Sequence, residues 1–267
     1  MGDVATAATE FSSDRKPGAT ECRTKTLDDD MKIRDCNWMQ VEALLARGED
    51  RAVLPLGSIE QHAYLSLAVD ALLAEAVAAD AAEPLGVPVF PAQSYGFTPT
   101  YMAFPGTLTL QFSTLLAVLG DLVESLHRHG FRRVVVVNGH GGNNGAASLL
   151  QELGARLPGL QLRWHNWWAA PRTLGFVRDQ DAQASHASWM ENFALTRLAG
   201  VEVPAGPKPL VDYARMALMD PAAKRAYLGD GCYGGHYAMP EAVTDRLWEI
   251  AVAETREAIE GPWLAPS

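Results

Sequence analysis

Arg133-Val134-Val135-Val136-Val137-Asn138-Gly139-His140-Gly141-Gly142-Asn143-Asn144 is the stretch that decides the fold. Four consecutive valines leave no polar side for solvent, so a strand made of them is buried on both faces. That is the situation of a parallel sheet covered by helices above and below. The run then drops into a glycine-rich turn, where missing Cβ atoms let another group approach the backbone. A helix is expected over residues 144–157. One imidazole, His140, stands at the tip of the turn. In open α/β sheets ligands bind beyond the carboxyl ends of the strands, so this turn is a candidate site. A phosphate-binding loop is the competing reading, but the stretch has neither the Gly-x-Gly-x-x-Gly nor the Walker pattern. An imidazole among glycines favours a ligating role instead.

Outward from this stretch the same alternation continues. Strands are expected at residues 51–56, 87–92, 133–137 and 160–165. Helices are expected at 35–46, 70–82, 112–129, 144–157 and 189–198, with a closing helix over 240–259. The expected architecture is therefore α/β, a three-layer α/β/α sandwich with a mostly parallel central sheet. Residues 1–30 are rich in Thr, Ala, Ser, Asp and Lys without hydrophobic periodicity. They read as a disordered extension, and residues 31–267 as a single domain. Beyond Gly200 the pattern weakens into Pro/Gly-rich loop and a Gly-rich aromatic stretch, Leu228 to Pro240.

With 267 residues and 48% hydrophobic content, the chain is long enough to bury a full core. A formal charge of −10 argues against nucleic acid or an anionic membrane as partner. No apolar run reaches the length of a bilayer span, and the first thirty residues lack the apolar region of a secretory signal. The three cysteines, Cys22, Cys36 and Cys232, have no CxxC spacing and read as reduced thiols of a cytoplasmic protein.

The second polar loop follows the first strand: Gly57-Ser58-Ile59-Glu60-Gln61-His62, running on to Val69-Asp70. Glu, His and Asp each present a localised lone pair to a divalent ion. Glu60 and His62 are two apart, so an extended backbone projects them to one side, and Asp70 can swing back to join them. The bland alternative is a capping Glu60 and a satisfied core His62. A third segment, Ser185-His186-Ala187-Ser188-Trp189-Met190-Glu191, carries another imidazole and carboxylate. Residues five apart on an ideal helix point about 140° away from one another. His186 and Glu191 can thus share a site only if His186 sits at or before a helix start. Two further stretches supply walls rather than chemistry: Tyr95 and Tyr101 around Phe104-Pro105-Gly106-Thr107, and Trp164, Trp167 and Trp168 beside His165. Aromatic walls suit planar ligands, although tryptophans so placed also serve as core.

Taken together and in this order, LPLGSIEQH (54–62), FPGT (104–107) and NGHGGN (138–143) resemble the creatininase (creatinine amidohydrolase) family. That family includes formamide hydrolases of flavin and deazaflavin biosynthesis and the mycofactocin precursor peptidase. The resemblance implies two divalent ions per subunit, Zn2+, Mn2+ or Fe2+. Asp70 would bridge them, with Glu60 and His140 on one ion, His62 on the other, and Glu191 as the remaining ligand. His186, together with Glu191, would be catalytic, His186 as proton shuttle. Tyr95, Tyr101, Gly141, Gly142, Asn143, Trp167 and Trp168 would contact substrate. It also implies C–N bond hydrolysis of a small cyclic amide, formamide or peptide-like molecule, in a homo-oligomer that is hexameric by analogy. A non-catalytic metal-binding protein of the same fold and a nucleotide-binding module are the readings from other classes. The chain departs from the family pattern within the loop 60–70, at Gly141-Gly142, and before FPGT, where Tyr101-Met102-Ala103 stand in place of a frequent histidine. Its loop EQHAYLSLAVD (60–70) is one residue shorter than the family's and lacks the second histidine. Ala63 stands where the family has Gly. Gly141-Gly142 replace the Tyr-Glu of creatinine-hydrolysing members, which points to a different pocket around the same metal centre.

Overall fold

A computed structural model describes residues 32–265, so the expectation for residues 1–30 lies outside the described residues. Its centre is a parallel sheet of three strands, β1 (Arg51–Leu56), β2 (Arg133–Asn138) and β3 (Gln161–Asn166), in the order β1-β2-β3. The registers keep the strand ends level, pairing Leu56 with Asn138 and Asn138 with Asn166. The four valines divide alternately between two cores. Val135 and Val137 join Val53 on one face, and Val134 and Val136 join Ala52, Leu54 and Leu56 on the other.

The first face is covered by α2 (Val69–Ala82), α5 (Pro171–Gln180) and α8 (Glu241–Glu260), the second by α1 (Trp38–Ala46), α3 (Phe112–His129) and α4 (Ala147–Arg156). This is the three-layer α/β/α sandwich. A fourth extended segment lies beside β1, where Val89 bridges Val53 and Gln93 bridges Leu56, both in parallel. Residues 87–92 thus form isolated bridges rather than the expected strand. Pro88 and Pro91 remove the backbone donors a full ladder would need. From β1 the chain passes to that outer segment, then returns across the sheet to β2. The strand order reverses at the β1/β2 boundary, which places a crevice at the carboxyl ends of those two strands.

The start of α2 is wedged into this crevice. A Cβ added at Gly57 would lie 2.4 Å from the Ala71 backbone, and one at Gly139 would lie 2.3 Å from the Asp70 carbonyl oxygen. No side chain fits in either gap, so both strand ends press directly on the first turn of α2. Gly139→Ala is expected to push α2 away, lowering stability by about 1–3 kcal/mol and displacing Asp70. Urea unfolding together with bound metal per chain checks this, and the two should fall in the same variant.

The expected helix over 189–198 shrinks to a 3-10 turn, Trp189–Glu191. Local side chains take the backbone groups a longer helix would need: the Thr196 hydroxyl donates to the Glu191 carbonyl and accepts from the Phe193 N–H. Beyond residue 200 the structure holds α6 (Tyr213–Ala217), α7 (Pro221–Leu228) and a two-residue antiparallel pairing of β4 (Pro207–Lys208) with β5 (Gly235–His236). Met216, Leu228 and Tyr233 from this tail pack on Tyr101. Among the described residues no helix is long and apolar enough to cross a membrane, and buried Cys232 is a free thiol.

Candidate metal centre

Glu60, His62, Asp70, His140 and Glu191 converge at the carboxyl ends of β1 and β2. Glu60 and His62 sit on the loop after β1, which is closed where the Glu60 N–H donates to the Leu67 carbonyl at 3.0 Å. Asp70 occupies the first turn of α2, where the helix macrodipole favours negative charge. His140 follows β2. The loop that carries it is braced by Asn138, whose amide donates to the His140 carbonyl at 2.7 Å. Glu191 ends the 3-10 turn, and its Oε2 accepts the Ala187 N–H at 2.6 Å. His186 lies before that turn, which is the condition the sequence set for sharing a site with Glu191.

The geometry centres on Asp70. Its Oδ1 is 3.1 Å from His62 Nε2, and its Oδ2 is 3.0 Å from His140 Nδ1. Glu60 Oε1 is 3.3 Å from the same His140 nitrogen, and Glu191 Oε2 is 3.9 Å from His62 Nε2. Two groups able to hold an ion result, Glu60-Asp70-His140 and His62-Asp70-Glu191, with Asp70 in both; a third brings together Glu60, His62 and His186. Outer contacts orient the ligating atoms. Ser58 Oγ donates to Asp70 Oδ2 at 2.7 Å, and the Thr98 hydroxyl donates to Glu60. His62 Nδ1 faces the Glu60 carbonyl at 3.2 Å and His140 Nε2 faces the Phe97 carbonyl at 3.1 Å. Donation of those two N–H groups leaves His62 Nε2 and His140 Nδ1 as lone pairs aimed into the cluster.

These donors fit divalent ions. Glu60 and His62 are each 1% exposed and Asp70 3%, so three carboxylates with Glu191 share a space nearly free of water. Unpaired buried charge is costly. Buried His62 Nε2 has no hydrogen-bond partner. Burial opposes charge on His62, yet the carboxylates of Asp70, Glu191 and Glu60 outweigh it and raise its pKa to about 10. His140 is pushed up in the same way, against its burial, by Glu60 and Asp70. Burial would raise Asp70, but His62 and His140 hold it well below the usual carboxylate range. Burial lifts Glu191 to about 7 against the pull of His62. The cluster is thus a sink for positive charge of the kind divalent metal ions supply.

His186 is different. Burial, then the neighbouring His62, lower its pKa to about 4, so it is neutral near pH 7. Its ring stacks on Tyr101 with centroids 5.3 Å apart and planes 4° from parallel. Two groups of opposite demand face its Nε2: the Gln61 side-chain amide, which donates, at 2.8 Å, and the Gln61 backbone carbonyl, which accepts, at 3.1 Å. On the other side, Nδ1 is 3.8 Å from Glu60 Oε1. Either ring tautomer finds a partner, which suits a group that takes up and releases a proton. The Gln61 amide also donates to the Gly231 carbonyl at 3.1 Å, tying this corner to the tail.

Above the cluster opens a cavity of about 670 Å³. Glu60, Asp70, His140, His186 and Glu191 line it, as do Tyr101, Gly141, Gly142 and Trp168; His62 joins the cluster from the core. Three of the residues expected to touch substrate do not line it. Tyr95 is 47% exposed, and Trp167 is buried in the core against Trp248. Buried Asn143 spends its amide on the Gly57 carbonyl and the Phe97 N–H, so it holds loops together. Sequence reasoning missed Ser58, Thr98 and Gln61, and the wall residues Arg178, Lys224 and Tyr233 that α5, α7 and the tail bring in. Ala63, at the position where the family pattern has Gly, has φ 51°, and Ala187 next to His186 has φ 61°. Left-handed backbone at non-glycine residues stores strain and clusters at functional sites.

Comparisons with known proteins point to one family. A sequence profile described as Creatininase, creatinine amidohydrolase, matches residues 34–259. The chain is 37% identical over 114 residues to a creatinine amidohydrolase of Pseudomonas putida, covering 40% of this chain and 44% of that protein. It is 34% identical over 141 residues to a mycofactocin precursor peptide peptidase of Mycolicibacterium smegmatis, covering 50% and 53%. The chain thus spans about half the length of the curated relatives it matches. A creatinine amidohydrolase crystal structure superposes with a TM-score of 0.68 at 25% identity, covering 86% of this chain and 96% of that one. A manganese creatininase structure gives the same TM-score and identity over 86% and 98%.

Proposed function

The chain belongs to the creatininase family, and from that premise we propose that it is a metal-dependent amidohydrolase acting on C–N bonds, as a homo-oligomer with two divalent ions per subunit. The observation that carries this reading is the position of Asp70, whose two oxygens face two separate sets of donors. Glu60 and His140 would hold one ion, His62 and Glu191 the other, with Asp70 shared. Bound ions of this kind polarise a carbonyl and activate water at neutral pH.

The chain's own groups would do the rest. Gly141 and Gly142 leave room at the cavity wall, and a Cβ on Gly142 would meet the His140 ring at 2.3 Å, so bare backbone is required there. Neutral His186, held between Gln61 and Tyr101, would move a proton to the leaving nitrogen. Tyr101 and Tyr233 are hydroxyl-bonded to each other and shield His186 from bulk water.

The cavity favours peptide-like over very small ring substrates. Its 670 Å³ fits a drug-sized ligand, and one relative is a peptide peptidase. Metal analysis of the purified chain, followed by a screen of cyclic amides, N-formyl compounds and short peptides with Mn2+ or Zn2+, tests the proposal. Amide hydrolysis that a chelator abolishes and added metal restores is the expected result. A chain that binds two ions yet cleaves none of these classes would instead be a metal-binding protein.

A further inference from the structure

Arg178 and Lys224 stand in the wall of the same cavity and come from separate elements, α5 and α7. In a chain of net charge −10 several arginines sit against carboxylates, among them Arg34 with Glu75, Arg51 with Glu49, Arg133 with Asp50 and Arg156 with Glu124. These two do not. Among the described residues Arg178 makes no ion pair or side-chain hydrogen bond, and Lys224 Nζ reaches only the Thr100 hydroxyl, at 3.4 Å. Among the described residues the cavity's carboxylates are Glu60, Asp70 and Glu191, which belong to the candidate metal centre.

A helix end alone does not explain the pair. Arg178 is in the last turn of α5, where the macrodipole welcomes a cation. Lys224 is the fourth residue of α7, near the end where the same dipole disfavours one. Exposed Arg178 and half-buried Lys224 thus put two cations without carboxylate partners on a cavity whose other walls include Trp168, Tyr101, Tyr213 and Leu174.

We propose that Arg178 and Lys224 bind a carboxylate carried by the substrate, remote from the scissile amide, so that the enzyme selects acidic amides of aromatic or apolar character. The proposal rests on the amidohydrolase reading above and names its substrate class. The Ser185 and Tyr213 hydroxyls, hydrogen-bonded to each other, line the same cavity and leave one O–H free to donate.

The test is equilibrium binding of two probes that cannot be hydrolysed, 3-phenylpropionate and 3-phenylpropan-1-ol, to the zinc-loaded full chain by calorimetry. The acid is expected to bind about tenfold or more tightly than the alcohol, the scale of one or two charge-assisted hydrogen bonds. That preference should shrink at high salt. It should also weaken in Arg178→Ala and in Lys224→Ala, survive largely in Arg178→Lys, and vanish in the double alanine variant. Equal binding of the two probes, no measurable binding of either, or an acid preference that persists in the double variant because the carboxylate sits on the metals overturns the proposal. Failure of the amidohydrolase reading shows separately, as absent turnover in the substrate screen with this preference intact.

Discussion

Asp70→Ala is expected to strip both ions from the protein and reduce amide hydrolysis to background, a loss of roughly 10⁴-fold or more if activated water is the nucleophile. Asp70 is the residue common to the Glu60-Asp70-His140 and His62-Asp70-Glu191 groups. Asp70 faces His62 on one oxygen and His140 on the other, so its removal opens both donor sets at once. Elemental analysis after dialysis, with turnover measured in parallel, reads the outcome. Ser58→Ala provides the graded comparison. Its hydroxyl only orients Asp70 Oδ2, and loss of such a partner typically costs 10–100-fold in affinity or activity. An Asp70→Ala protein that keeps two ions and normal turnover would sink the shared-carboxylate arrangement.

His186→Ala should behave in the opposite way, keeping its metal while turnover falls by about 10²–10⁴-fold, the usual weight of a general acid–base group. The competing possibility is that His186 ligates an ion with Glu60 and His62, a grouping its position also permits. The two roles separate cleanly, because loss of a ligand lowers metal content and loss of a proton carrier does not. Full metal occupancy with a large fall in kcat supports the proton-transfer role. A parallel fall in bound metal would move His186 into the ligand set.

Much of this arrangement was legible because burial writes itself into the sequence. The valine run of β2 and the apolar run of β1 could only be two-sided strands, and α3 carries the periodicity of a helix against one face. The fourth extended segment was misread because its apolar residues alternate with Pro88 and Pro91, which hydrophobicity alone does not register as missing donors. The segment after Trp189 was misread because the Thr196 hydroxyl holds the Glu191 carbonyl and the Phe193 N–H in local bonds, while the Asn192 amide is drawn to the distant Tyr237 carbonyl. The candidate ligands stood out by chemistry, since Glu, His and Asp in short loops after strands are conspicuous. The pinch that seats Asp70 was not visible, because it depends on how close Gly57 and Gly139 come to α2 in space. Arg178 and Lys224 were equally hidden. Each is an ordinary charge on an ordinary helix until the tail folds back and sets both over the same cavity.

The bond between the Gln61 amide and the Gly231 carbonyl has a bearing on how the protein is made. Its partners are 170 residues apart in the chain, and the Tyr233 N–H two residues further on donates to the His186 carbonyl at 3.0 Å. During synthesis β1 and its loop emerge long before these tail residues exist. At ordinary elongation rates, on the order of 5–20 residues per second, Glu60 and His62 wait many seconds for the groups that finish their surroundings. The nascent chain therefore passes through a stage with a sheet and exposed ligands but no closed site. The five candidate ligands, Glu60 to Glu191, all precede the tail in the chain, so what the tail adds late is the closure of the cavity wall around His186 and not the donor set itself.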